Sequence, residues 1–462
     1  MKITVIGGGP GGYEAAIYAA KKGAEVVVVE KDRVGGTCLN RGCIPTKSFL
    51  ATYDALDAVQ NADTFGIENV GEPTVNYKAV VERKNKVMNN LVKGIEYLFK
   101  QNKVTLVKGF GKLIDPKTVE VTKDDGSKEI INTDYVILAT GSVPTTPPVF
   151  NVDRKRVITS DEILDFEEAP ESLILVGGGV IGCEIGQFLN KMGTKVTIVE
   201  ALPRIMATMD EDVSKQITRQ FKKEKLKVIA GDGIAEVTPY EDHVDVKLAS
   251  GKELSASYCL VAIGRAPFTK GLGLEDVGVK MTERGRVDVN EYLQTNIENI
   301  YAIGDILSSA QLAHVASKEG LTAVDNIMGE KKKMTYHAVP GCVFTNPQLA
   351  SVGTLEWQLE KEGKEKGKDY RVGTFDMRGL GKAQASGHIT GFVKVIADMD
   401  DVLIGAEIVG ANASDMLQVL TTAIQLGLTV DQVAESIFPH PTMCEAILEA
   451  LHDVHGLSVN KG

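Results

Sequence analysis

Cys38 and Cys43, in the run GGTCLNRGCIPTK from Gly35 to Lys47, are the residues of this chain best placed to do chemistry. Four residues lie between them, a spacing short enough to close into a disulfide. The stretch passes from a glycine turn into a helix entrance at Pro45, a residue the first helical turn tolerates. Free N–H groups at such an entrance stabilise a thiolate at Cys43. A closable pair with one activated sulfur meets the requirement for reversible thiol–disulfide exchange. Two other readings compete, a pair of buried apolar cysteines and half of a metal site. A zinc site needs a second Cys or His pair at ligand spacing, and the chain has none. The flanking glycines and the nucleotide motif just before them favour redox chemistry.

A second candidate pair lies in FPHPTMCEA, Phe438 to Ala446. His440 can act as an acid–base group with Glu445 orienting its imidazole. Thr442 and Glu445 also have capping-box spacing ahead of an apolar helix, which predicts a helix start at Thr442.

The elements that must position these groups are announced by an internal repeat. ITVIGGGPGGYEAAIYAAKKGAEVVVVE, from Ile3 to Glu30, aligns without gaps on LILVGGGVIGCEIGQFLNKMGTKVTIVE, from Leu173 to Glu200. Each copy reads as a strand, three glycines, an apolar-periodic helix, a second strand and a terminal acid. Gly7, Gly9 and Gly12, and likewise Gly177, Gly179 and Gly182, permit a tight turn, close approach of a pyrophosphate and close helix–strand packing. The diphosphate rests on the helix N-terminus, and Glu30 or Glu200 accepts hydrogen bonds from a ribose. Two dinucleotide sites follow. A carboxylate at Glu200 suits a bare ribose and repels a 2′-phosphate, so NAD is favoured over NADP even with Arg204 nearby.

Length and charge bound the rest. A chain of 462 residues implies three or four domains, and a net charge of −11 without a basic patch argues against nucleic acid. Cys183, Cys259, Cys342 and Cys444 stand singly among apolar neighbours, as buried thiols do, rather than as a secreted disulfide framework. The N-terminus runs directly into a strand, and no apolar run is long enough to span a bilayer, so a cytoplasmic protein, or the mature form of an organellar one, with no membrane partner is expected. Asn76–Gln101 has helical periodicity. Short strands are expected near 103–109, 118–121 and 135–138. From about Tyr336 the pattern changes to short strands at 342–345, 391–397 and 403–409 with intervening helices, an α+β domain. The charged run EKEGKEKGKD reads as a solvated loop or helix end.

With the repeat, the ATGSVP segment at Ala139–Pro144, and TNIENIYAIGD from Thr295 to Asp305 on the page, the chain resembles the pyridine nucleotide–disulfide oxidoreductases over essentially its whole length. Within them it is most similar to the dihydrolipoamide-oxidising branch. The resemblance implies an α/β architecture of two Rossmann-like domains plus a C-terminal α+β dimerisation domain. The expected bounds are 1–146 and 265–336 for FAD binding, 147–264 for NAD binding and 337–462 for the interface. It implies that Asp305 holds the flavin ribityl chain. The backbone of Gln311, Leu312, Ala313 and His314 lines the flavin, and Gly111, Thr140, Gly141 and Ser142 run along the same cofactor. Gly264 closes the NAD unit. Lys47 is expected beside the flavin ring, paired with Glu184. His440, supplied by the other subunit of a homodimer, would deprotonate a dithiol while Cys38 faces that substrate and Cys43 the flavin. One departure is Phe438, where relatives commonly have a second histidine.

The activity so implied is oxidation of dihydrolipoamide on a lipoylated carrier, either the lipoyl domain of a 2-oxo acid dehydrogenase complex or the glycine cleavage carrier, with NAD as acceptor. An NADPH-dependent glutathione-type reductase is disfavoured by Glu200 and Gly182. A mercuric or high-mass thioredoxin reductase needs a C-terminal cysteine pair that Gly456–Gly462 lacks. A catalytically silent structural subunit would lose some of Cys38, Cys43, His440 and Glu445, and all four are present.

Overall fold

The computed structural model describes residues 1–461 and divides into two compact units. The first comprises 1–146, 159–168 and 264–335; the second comprises 147–158, 169–263 and the described residues from 336 onward. The expected NAD-binding and interface segments therefore share a unit, and 159–168 joins the first. One cause is Lys84, fully buried on the helix Tyr77–Gln101, whose ammonium donates to Leu164 O at 2.6 Å and Asp165 Oδ1 at 3.0 Å. A buried cation must be paired, and these two acceptors hold the 159–168 segment to the first unit.

In the first unit, β1 (Lys2–Ile6), α1 (Pro10–Lys21) and β2 (Glu25–Glu30) open a parallel sheet. Its five strands run in the order Ile300–Ala302, Tyr135–Leu138, β1, β2 and Thr105–Lys108. Ile3, Thr4, Val5 and Ile6 are all buried, as expected for a parallel strand covered on both faces. Two helices follow the sheet's opening unit, α2 (Gly36–Arg41) and α3 (Cys43–Gln60), broken at Gly42. A second helix, Ala313–Ile327, packs on α1 at glycine contacts: a Cβ on Gly11 would stand 2.8 Å from Ala316 O, and one on Gly320 2.7 Å from Gly11 O. Phe110–Asp115, Thr118–Thr122 and Lys128–Asn132 form a small antiparallel sheet.

The second unit repeats the pattern with β3 (Ser172–Val176), α4 (Val180–Lys191) and β4 (Lys195–Glu200). Its sheet order is Lys227–Ala230, β4, β3, Tyr258–Val261 and Val157–Ile158. Beyond residue 336 comes an antiparallel sheet containing β5 (Phe392–Ala397) and β6 (Leu403–Gly410), in the order Gly341–Val343, Gln348–Gly353, β6, β5 and Arg371–Asp376. The last helix, α5 (Glu445–Asp453), buries Ala446, Ile447, Ala450 and Leu451 in the same core as Val393, Val395 and Ile408. Two Rossmann-like dinucleotide folds and a C-terminal α+β domain result. Among the described residues no helix is long and apolar enough to cross a membrane.

Candidate active site

Both glycine loops are built to the same plan. Gly7 and Gly177 turn at φ 109° and 110°, and a Cβ there would meet Ala139 O at 2.2 Å or Ala262 O at 2.4 Å. Only glycine satisfies both the positive φ and the close approach. A Cβ on Gly12 or Gly182 would collide with the carbonyl of Gly7 or Gly177, so each helix seats hard against its own loop. Gly179 has nothing within 4 Å of such an atom, leaving that mouth open to a pyrophosphate. The terminal acids are clamped identically. Glu30 accepts from Gly8 N at 2.7 Å and Asp32 N at 2.8 Å; Glu200 accepts from Gly178 N and Leu202 N, both at 2.7 Å. Each carboxylate is thus fixed by backbone donors with lone pairs left for ribose hydroxyls. The residues present fit two dinucleotides. Beside Glu30 lies a pocket of about 380 Å³ lined by Arg33, Val34, Asn89, Val92 and Lys93 among others. Arg204 folds onto its own loop, donating to Met209 O at 2.5 Å and Ala207 O at 3.4 Å, rather than standing free for a phosphate.

The redox pair sits at the junction of α2 and α3. Cys38 lies inside α2, and Cys43 is the first residue of α3. Both are thiols, Cys38 half-buried and Cys43 exposed. A hydrogen bond to Cys43, then burial, pushes the Cys38 thiol far above its ordinary range, while the charge of Lys47 acts the other way. That hydrogen bond runs from Cys38 to the Cys43 sulfur, and Cys43 stands at a helix N-terminus that favours negative charge. The segment is stapled to the first glycine loop by Gly35 N donating to Gly8 O at 2.7 Å. Gly36 also packs so close that a Cβ on it would stand 2.6 Å from Gly9 Cα.

Ser142 and Asp305 meet in the same unit, Ser142 Oγ donating to Asp305 Oδ2 at 2.5 Å. Thr140 donates to Phe268 O at 2.6 Å, and Phe268 N to Gly141 O at 2.8 Å. Gly111 is buried against Ile6 and Val29, at the ends of β1 and β2. Leu312 caps the helix whose first residues are Ala313 and His314, and Gln311 Nε2 donates to Arg265 O at 3.3 Å. Gly264 O accepts from Thr145 N at 3.0 Å.

Sequence reasoning gave Arg265 no role. Its guanidinium donates to Ser142 Oγ and Ser142 O, each at 2.7 Å, and reaches Thr37 Oγ1 at 3.4 Å, next to Cys38. Burial pulls its pKa down, with Asp161, Asp305 and Cys43 opposing. Buried Glu319 was also missed; it accepts from Gly304 N at 2.6 Å and so holds the turn that carries Asp305. The position of Arg265 directly after a second strand-ending glycine was the available signal. Glu184 is buried in the second unit and accepts from Phe344 N at 2.8 Å, tying α4 to the chain entering the C-terminal sheet.

His440 and Glu445 are brought together. His440 Nδ1 lies 2.8 Å from Glu445 Oε2, and Glu445 Oε1 accepts from Thr442 N at 2.6 Å. Burial alone would raise the Glu445 carboxyl, but the Thr442 N–H and His440 outweigh it and hold it below its ordinary range. The imidazole is 77% exposed, with Nε2 directed away from the carboxylate contact. The expected cap at Thr442 is only half made. The helix begins at Glu445 with Cys444 before it, and the Thr442 hydroxyl donates back to Pro439 O at 2.8 Å. The carboxylate's half of the box is made, through Thr442 N; the hydroxyl's half is missing because that hydroxyl is turned back to Pro439 O and the helix starts three residues later. Cys183 and Cys259 are buried, but Cys342 and Cys444 are only half-buried, unlike the expectation for isolated thiols.

Residues 1–320 match the model of the family described as pyridine nucleotide-disulphide oxidoreductase, and residues 339–451 match its dimerisation domain. Dihydrolipoyl dehydrogenase of Bacillus subtilis (strain 168) is 38% identical over 99% of this chain and 98% of its own length. Dihydrolipoyl dehydrogenase 1, mitochondrial, of Arabidopsis thaliana is 39% identical over 97% of this chain and 89% of its own. Among solved structures, LpdA from Mycobacterium tuberculosis superposes with a TM-score of 0.91 at 28% identity, covering 98% of this chain and 99% of that one. Doubled glycine clamps, a thiol pair on the first of them and a matched dimerisation domain agree: the chain belongs to the pyridine nucleotide-disulphide oxidoreductase family and groups there with the dihydrolipoyl dehydrogenases.

Proposed function

We propose that this protein oxidises the dihydrolipoyl arm of a lipoylated carrier through a Cys38–Cys43 disulfide, with FAD along Gly7–Glu30 and NAD along Gly177–Glu200. The observation that carries the reading is the placement of the sulfurs beside the first glycine loop: Cys38 lies inside α2, and Cys43 starts α3 across the break at Gly42. FAD supplies the two-electron relay between the sulfur pair and NAD. In the oxidised pair Cys38 is the sulfur attacked and Cys43 the one expelled, because the helix N-terminus and Lys47 stabilise the departing thiolate.

His440 of one subunit takes a proton at Nε2 from a substrate thiol as that thiol attacks Cys38. A substrate–Cys38 bond forms and the Cys38–Cys43 bond breaks. The second substrate thiol then attacks the first substrate sulfur, closing the substrate disulfide and releasing Cys38 as a thiol. Glu445 fixes the imidazole with Nδ1 as donor, which leaves Nε2 free to accept. The half-exposed thiol pair in one unit and the projecting imidazole in the dimerisation domain support a homodimer with shared sites.

An anaerobic titration tests the substrate. Dihydrolipoamide should reduce the enzyme with a stoichiometric change in visible absorbance, and glutathione should not; equal reduction by glutathione refutes the substrate class. Mixing differently tagged Cys38→Ser and His440→Ala chains tests the sharing. The isolated mixed dimer has one complete site and should recover about half the activity. An inactive, flavin-loaded mixed dimer refutes it.

A further inference from the structure

Lys394 is a buried lysine on β5 with four carboxylates around it and no part in the redox chemistry. Its ammonium lies 2.6 Å from Asp212, 2.9 Å from Asp210, 3.1 Å from Glu356 and 3.8 Å from Glu407. Glu407 stands directly opposite it on β6 and is fully buried. The cluster joins the C-terminal sheet to one particular stretch of the second nucleotide fold, the loop from Glu200 to Asp210. At its near end the loop is held by the Glu200 clamp on Gly178 and by Met206 N donating to Gly178 O at 2.8 Å. At its far end Asp210 is bound through every polar group facing the sheet. Its N–H donates to Glu407 Oε1 at 3.1 Å, its Oδ1 accepts from Trp357 N at 2.9 Å, and its Oδ2 takes Lys394. Trp357 Nε1 adds a bond to Thr208 O at 3.1 Å.

A loop fixed at both ends transmits displacement from one end to the other. Between the ends, Ile205, Met206 and Met209 anchor the loop in the core, and Arg204 bonds the loop's own carbonyls. We infer that Lys394 is a positioning residue for the nicotinamide dinucleotide, holding the Glu200–Asp210 loop, and through it Gly178 and Glu200, from the C-terminal sheet. The inference rests on NAD binding at Glu200. It gives the interface domain a second task besides carrying His440.

The test compares FAD-loaded Lys394→Met, Lys394→Arg and Trp357→Phe with Glu200→Gln and the parent enzyme. Expected for Lys394→Met is a rise in KM for NAD of about fivefold or more, with kcat changed less than about twofold. The rate at which dihydrolipoamide reduces the enzyme, read by stopped flow without NAD, should be unchanged. Lys394→Arg should restore most of the KM. Trp357→Phe, which keeps the charge cluster and removes one bond to the loop, should raise KM for NAD by a smaller factor; it decides the matter if Lys394→Met does not fold. A raised KM in both the Glu200 and the tether variants supports the inference. A rise in Glu200→Gln alone overturns it while leaving the NAD site standing, and no rise in any variant overturns both.

Discussion

Replacing Glu445 with Gln tests the carboxylate that holds both the Thr442 backbone and the His440 imidazole. In the parent, Oε1 accepts from Thr442 N at 2.6 Å while Oε2 faces His440 Nδ1 at 2.8 Å. The two donors face different oxygens, and in an amide one of those two positions becomes an NH₂ group that donates instead of accepting. If the remaining oxygen stays on Thr442, the amide NH₂ faces Nδ1 and drives the proton to Nε2, the atom required as base. If it turns to His440, Thr442 N–H loses its acceptor in the turn before α5. Either way one charge-assisted bond disappears, a contribution of about 1.5–3 kcal/mol. At about 1.4 kcal/mol per factor of ten, kcat/KM for dihydrolipoamide should fall roughly ten- to hundred-and-fortyfold. The assay is NAD-linked oxidation of dihydrolipoamide across pH, alongside NADH oxidation by an artificial one-electron acceptor that draws on the flavin and bypasses the imidazole. The second activity should survive within about twofold. A Glu445→Gln enzyme with parental kcat/KM and an unshifted pH profile refutes the role given to the pair. So does an equal fall in both activities, which would mean that the fold, not the imidazole, was damaged.

Three further outcomes follow from the same geometry. Cys43→Ser should abolish long-wavelength absorbance from a thiolate against the flavin, whereas Cys38→Ser should keep it; the reverse pattern exchanges the two roles. NAD should be preferred over NADP by about a hundredfold or more in kcat/KM, because like charges about 4 Å apart repel by several kcal/mol at an effective dielectric near 20. Glu200→Ala with Ala201→Arg should narrow that gap, and equal rates in the parent refute the assignment. Burial, then the charge of Asp210, pushes the Glu407 carboxyl well above its ordinary range. The folded state therefore holds a proton there that the unfolded chain releases, and stability falls as pH rises from the ordinary carboxylate range toward the folded value. Glu407→Gln stays neutral, so its melting temperature should gain on the parent as pH increases; a difference independent of pH contradicts the account.

What could be read from the sequence follows the range of the interactions. The doubled fold was legible because its glycines, strand and terminal acid all lie within 28 residues, from Ile3 to Glu30 and again from Leu173 to Glu200. Asn76 caps the helix Tyr77–Gln101, accepting from Ala79 N at 3.1 Å, and here too the cue is local. Lys394 was invisible as a site-builder, and Arg265 was marked only by its place after Gly264, because their partners, Asp210 and Ser142, stand 184 and 123 residues away. No periodicity marks such pairs. The segment 159–168 went to the other unit for the same reason, since the buried ammonium of Lys84 reaches it across 80 residues. Thr442 misled in a different way: its spacing to Glu445 fits a cap, but its hydroxyl bonds Pro439 O and the helix starts only at Glu445.

The staple between Gly35 N and Gly8 O makes the nucleotide loop and the sulfur-bearing turn one mechanical piece. The two share a backbone hydrogen bond and a van der Waals surface, Gly9 against Gly36. A substitution that shifts either one therefore shifts the other, because close-packed backbone has no slack to absorb the movement. The same backbone that cradles the dinucleotide aims Cys38, so the alignment of the sulfurs and of the electron acceptor is set once.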